Sequence, residues 1–134
     1  MLTIDHIQTF LDQFLAWAAA QADIQAIGLV GSYARNAARL DSDIDLVVLS
    51  RNPQRYLEDT HWASLFGKVE RQQVEEYGPL TSLRIWYTGG REVEYGLTDE
   101  SWAAVPLDKG SASVIANGMQ VLFERYPLLS RHLK

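Results

Sequence analysis

The sequence predicts an α+β (α/β) fold: a mixed β-sheet flanked by helices. Three observations carry this. Residues 3–21 set Ile4, Ile7, Leu11, Phe14, Leu15 and Ala18 at helical spacing. Residues 24–50 read as strand, tight turn, short helix and second strand. From residue 68 to 98 the texture changes to short strands punctuated by Gly78-Pro79 and Gly89-Gly90. At 134 residues the chain is expected to be one domain spanning 1–134.

In chain order, Thr3 is positioned to cap the first helix. Ile24 to Val30 is a buried apolar strand ending at Gly31. Ala34 to Leu40 follows as a short helix with Arg35 and Arg39 on one side. Ile44 to Leu49 is the central strand, stopped by Arg51-Asn52-Pro53 because proline cannot donate to a ladder. A second helix is expected from Pro53 or Tyr56 to Phe66, with Gly67 as its stop. Strands then run over Lys68–Tyr77, Leu80–Tyr87 and Glu92–Leu97. The last two are joined through Thr88-Gly89-Gly90-Arg91, where Gly-Gly tolerates positive φ at both central positions. Thr98 or Asp99 can cap one helical turn through Trp102, and Asp108 to Asn117 forms a helix ending at Gly118. Met119 to Phe123 is expected to add a parallel strand, and Leu128 to Leu133 a terminal helical turn. The four tryptophans read as core or interface, and His6 and His61 as surface groups.

Bulk properties narrow the chemistry. With no cysteine, disulfides, thiolate nucleophiles and Cys-based zinc sites are excluded. A formal charge of −5 gives no general footprint for nucleic acid, so direct nucleic-acid binding is not expected. No apolar run has the length of a membrane span and no basic-then-apolar leader opens the chain, so a soluble, cytoplasmic protein is expected.

The chemistry concentrates in residues 28–50. Alternate side chains of a strand share a face and rise by roughly 3.3 Å per residue, so Asp43 and Asp45 point the same way, about 6 to 7 Å apart at Cα. Ile44 and Leu46 turn to the core. Two carboxylates on one rigid face suit a hard divalent cation such as Mg²⁺, which takes oxygen ligands. Gly31-Ser32 ahead of a helix offers backbone N–H groups and a hydroxyl to a phosphate. A lone Gly-Ser is a common turn and a lone Asp-x-Asp a common strand start. It is their joint occurrence, with a strand directly after the second Asp, that points to nucleotide chemistry.

This run, Gly31-Ser32, ten intervening residues, then Asp43-Ile44-Asp45-Leu46, resembles the signature of the DNA polymerase β-like nucleotidyltransferase superfamily, and most closely its small single-domain members, the minimal nucleotidyltransferases. The resemblance is specific over residues 28–50 and extends to about residue 98. It implies a mixed-sheet nucleotidyltransferase core and Mg²⁺-dependent transfer of a nucleoside monophosphate, AMP from ATP by default, to a hydroxyl on a protein, RNA or small molecule. Mn²⁺ is the alternative ion. It further implies that Asp43, Asp45 and a third carboxylate hold the metal and carry the catalysis. Glu94, flanked by Val93 and Tyr95, resembles that third position, where family members more often have Asp; Glu92, on the same face, is the rival. Gly31 and Ser32 would hold the nucleotide's phosphates, with Arg35 and Arg39 as guanidinium clamps. Asn36 stands where Gly is common in the family.

Competing classes follow from the same residues. A Walker-type loop needs Gly-Lys-Ser/Thr, and none exists; the dinucleotide fingerprint is missing as well. Haloacid-dehalogenase-type phosphatases place the apolar strand before Asp-x-Asp, whereas here it follows. The other reading is an antitoxin-like binding module that pairs with a helical HEPN-type partner without turnover. A drug-modifying adenylyltransferase of the aminoglycoside or lincosamide type would call for a further domain or a homodimer to shape the acceptor site.

Overall fold

The computed structural model describes residues 4–34, 43–105 and 107–133. The Thr3 cap, the helix beyond Ala34, Arg35, Asn36 and Arg39 lie outside the described residues. Helix α1 (Ile4–Ala19) leads into β1 (Ile24–Val30), a four-residue helix α2 (Gly31–Ala34) and β2 (Ile44–Ser50). Helix α3 (Gln54–Glu58), a 3₁₀ turn (His61–Phe66), β3 (Val69–Tyr77), β4 (Leu80–Tyr87) and β5 (Glu92–Thr98) follow. A 3₁₀ turn (Glu100–Ala103), α4 (Lys109–Ala116), β6 (Met119–Glu124) and a last 3₁₀ turn (Ser130–His132) complete the order. No described helix is long and apolar enough to cross a membrane.

The six strands form one mixed sheet in the order β3-β4-β5-β2-β1-β6. Strands β2 and β5 pair in parallel, with Asp45 beside Glu94. The other described pairings are antiparallel. This is the α+β mixed-sheet architecture expected of the sequence. The strand expected to be parallel at Met119–Phe123 is a correction. Helix α4 ends at Ala116, and after Asn117-Gly118 β6 starts opposite the last residue of β1, Val30 against Met119, and runs back antiparallel along it.

Alternation sorts each strand between two cores. On one face Ile27, Leu29, Ile44, Leu46, Val48, Leu83, Ile85, Val93, Tyr95 and Leu97 meet Ile7, Phe10, Leu11, Phe14 and Ala18 of α1. Phe10, absent from the expected helical stripe, is as buried as Phe14. Aromatic rings fill the space between: Trp62 stacks on Trp17 at 5.3 Å between centroids and meets Tyr95 edge-on at 4.8 Å. The buried Tyr87 hydroxyl lies 2.8 Å from that of Tyr95 and 2.7 Å from the Ala63 carbonyl, so the polar tips of both rings are satisfied. On the other face Ala26, Val47 and Leu49 pack against Trp102, Ala103, Ile115, Leu128 and Leu129.

Two further expectations change in detail. The single helix from Pro53 or Tyr56 to Phe66 divides at Asp59 and Thr60. Asp59 is extended, and its side chain takes the His61 N–H at 3.0 Å, so the helical ladder cannot pass through. The β4–β5 hairpin keeps positive φ at Gly89 and Gly90, but Tyr87 N–H donates to the Arg91 carbonyl at 2.8 Å, which makes the loop three residues long. A one-residue change in register moves every side chain to the opposite face relative to its neighbour. With this register Arg84 lies directly across from Glu94.

Candidate active site

Strand order brings the acidic groups together. Asp43 immediately precedes β2, Asp45 lies within it, and Glu94 is Asp45's partner on the parallel neighbour β5. One carboxylate oxygen from each of the three lies within 4.8 Å of the others. They stand on the sheet face that carries Val47 and is covered by Trp102, at the edge of that second core. Glu92, the rival third carboxylate, is not in this group; its Oε2 takes a 2.6 Å bond from Arg84 Nη1.

Gly31 closes the site from the β1 side. It has φ of +72°, and a Cβ built on it would lie 2.3 Å from Asp45 Oδ2. The missing side chain therefore leaves the room that the Asp45 carboxylate occupies. Helix α2 begins at Gly31 itself, and Ser32 sits half-buried in its first turn. Gln120 of β6 donates to the Ala34 carbonyl at 3.2 Å and ties this helix to the far strand.

Charge in the cluster is unbalanced. Burial, the neighbouring Glu94 charge and hydrogen bond, and Asp43 together push the Asp45 carboxyl up to about 7, with Arg84 opposing them. Its Oδ1 is buried with no hydrogen-bond partner among the described residues. Glu94 is better served: Ser82 Oγ donates to Oε1 at 2.8 Å and Arg84 Nη2 to Oε2 at 3.1 Å. Arg84 also bonds Glu75 at 3.1 Å and stands 3.8 Å from Asp43. Burial works against the guanidinium charge, but Glu94, Glu92 and Glu75 outweigh it and raise the Arg84 pKa. Arg84 is thus the cluster's internal counter-cation.

Sequence reasoning missed Arg84 and Ser82 as companions of the site. Both lie on β4 with the side-chain parity of Glu94's face, so the signal was the alternation of β4. What concealed them was the hairpin register, which a two-residue loop would have set differently.

A pair of parallel strands presenting grouped carboxylates, on a mixed sheet and beside a glycine-opened helix, is the arrangement that the nucleotidyltransferase resemblance implies. The family comparison gives the same answer: the nucleotidyltransferase domain model matches residues 11–92, more than half of the chain, and the chain belongs to that family. Among solved structures, the chain is similar in fold to an aminoglycoside 6-adenyltransferase from Bacillus subtilis, with a TM-score of 0.56 and 19% identity. That match covers 73% of this chain and spans 36% of the length of the adenyltransferase. No protein with a curated description matches the sequence.

Proposed function

We propose that the chain catalyses metal-dependent transfer of a nucleoside monophosphate, AMP from ATP, to a hydroxyl acceptor. The observation that carries this reading is the meeting of Asp43, Asp45 and Glu94 within 4.8 Å beside the Gly31 turn. Their donor set fits Mg²⁺ or Mn²⁺: all three ligands are carboxylate oxygens, and Asp45 Oδ1 is buried without a partner. Burial, then the neighbouring Glu94 and Asp43, raise the Asp45 pKa, and a cation would reverse that cost.

In this reading Asp43 and Asp45 hold the metal, and Glu94 completes the set. When bound, divalent ions neutralise charge on the transferring phosphoryl group and acidify the attacking hydroxyl. Glu94 would take the acceptor's proton, its orientation held by the Ser82 hydroxyl. The N–H of Gly31 and the Ser32 hydroxyl would receive the β- and γ-phosphates at the start of α2. Arg35 and Arg39 follow in the sequence and would clamp the same phosphates bidentately. Arg84 offsets the acidic charge that would otherwise repel the triphosphate.

The test is transfer of label from α-phosphate-labelled ATP, with Mg²⁺, to compounds in a small-molecule extract and to proteins. Labelled product should form with the wild type and be lost in Asp43→Asn. Equal labelling by wild type and Asp43→Asn would refute the proposal.

A further inference from the structure

Between the sheet and α4 lies a cavity of about 310 Å³ whose walls are mostly apolar. Val47 and Leu80 line it from the sheet, and Trp102 and Val114 from the opposite layer. Asp45 and Glu94 form part of the same wall, so the cavity is continuous with the carboxylate cluster. Trp102, Ser111 and Val114 fall outside residues 11–92, so this wall is a feature of the chain beyond its family core.

Two observations point to an occupant. Ser111 is 1% exposed, and its Oγ is buried with no hydrogen-bond partner among the described residues. Its N–H is already taken by Asp108 at 2.8 Å, so the cap on α4 does not satisfy the hydroxyl. A buried hydroxyl left unpaired keeps a desolvation cost that a ligand atom would recover. The second observation is charge. Asp45, Glu94 and Asp108 line the cavity, and no basic residue does among the described residues. An anionic body would be repelled there, whereas a neutral or cationic one would not. A volume of about 310 Å³, mostly apolar with a few polar groups, is the size and texture of a small-molecule site.

We propose that this cavity seats the acceptor, a small neutral or cationic organic alcohol. Its apolar body packs against Trp102 and Val47, one polar atom bonds Ser111 Oγ, and its hydroxyl faces Asp45 and Glu94. This rests on the nucleotidyl-transfer reading for the fate of that hydroxyl. The acceptor oxygen forms a bond to the α-phosphorus of ATP, and the bond from that phosphorus to the bridging oxygen breaks. Pyrophosphate leaves, and the hydroxyl proton passes to Glu94. Ser111 is a positioning residue for the acceptor.

The experiment is NMR titration of labelled protein with benzyl alcohol, trans-4-aminocyclohexanol and benzoate, and separately with Mg²⁺-ATP. The two alcohols should shift the Trp102 indole N–H and the Val114 methyls, and benzoate should not. Ser111→Ala should weaken trans-4-aminocyclohexanol, whose amine is the second polar atom, about fivefold to tenfold and leave benzyl alcohol nearly unchanged. Val114→Trp, which fills the cavity, should abolish alcohol binding and still bind Mg²⁺-ATP. Benzoate binding as well as the alcohols, or no shift with either alcohol, would overturn the proposal. So would displacement of benzyl alcohol by Mg²⁺-ATP from the same signals, which would make the cavity the nucleobase seat. Alcohol binding in a wild type that binds no Mg²⁺-ATP would uphold the cavity and defeat the transfer reading, so the two failures are separable.

Discussion

Gly31→Ala isolates the contact on which the site's geometry turns. The substitution carries two costs. One is conformational: a side chain at φ of +72° pays about 1–2 kcal/mol. The other is steric, since the new Cβ would stand 2.3 Å from Asp45 Oδ2, where ordinary contact begins at 3.4 Å. The carboxylate must withdraw by about 1 Å, while Mg²⁺ demands near-ideal octahedral geometry with ligands at about 2.0–2.1 Å. Gly78 supplies the control. It has nearly the same φ, +70°, and open space around its Cβ. Gly78→Ala should therefore lose about 1–2 kcal/mol and keep its cation affinity. Gly31→Ala should melt roughly 5–10 °C below wild type and bind Mg²⁺ at least about tenfold more weakly. Calorimetric Mg²⁺ titrations and thermal melts of both variants provide the comparison. Equal Mg²⁺ affinity in the two variants would refute the argument that Gly31 makes room for a metal-ligating Asp45.

Other predictions follow from the same geometry. The Asp45 carboxyl is raised from 3.8 to about 7, so its contribution to stability is complete below pH 3.8 and is lost as pH rises through 7. At full weight that shift is worth ~4 kcal/mol, and solvent around the half-buried group cuts it to ~2. Asp45→Asn should remove this slope from metal-free melting curves between pH 4 and 7 and be the more stable protein at pH 8. Arg84→Met takes the counter-cation from Glu75, Glu92 and Glu94, and should cost about 1–2 kcal/mol without metal. Mg²⁺ should restore most of that loss in the melt and bind severalfold more tightly than to wild type. Asp108→Ala removes the α4 cap and should cost about 1 kcal/mol in a denaturant titration.

The meeting of the three carboxylates was legible in the sequence because Asp45 and Glu94 lie on period-2 strands and Asp43 directly precedes one. Asp43, Asp45 and Glu94 could be assigned to one face from alternation and the family signature, and the parallel pairing of β2 with β5 brings them together. Strand direction at Met119 was not legible, since the composition of β6 is the same whether the strand runs parallel or antiparallel. Arg84 and Ser82 depended on hairpin register, which Gly89-Gly90 alone does not decide between two-residue and three-residue loops. The cavity wall was hidden for a different reason. Trp102, Ser111 and Val114 meet only through tertiary packing of a 3₁₀ turn and a short helix on the sheet, and no local pattern announces a hydroxyl left without a partner.

The central claim is that three acids from two strands hold one divalent-ion platform. Mn²⁺ titration followed by electron paramagnetic resonance, with and without ATP, tests it most directly. Wild type should bind Mn²⁺ and tighten with ATP, while Asp45→Asn and Glu94→Gln should each lose affinity by about tenfold or more. Unchanged Mn²⁺ binding in both variants would contradict it.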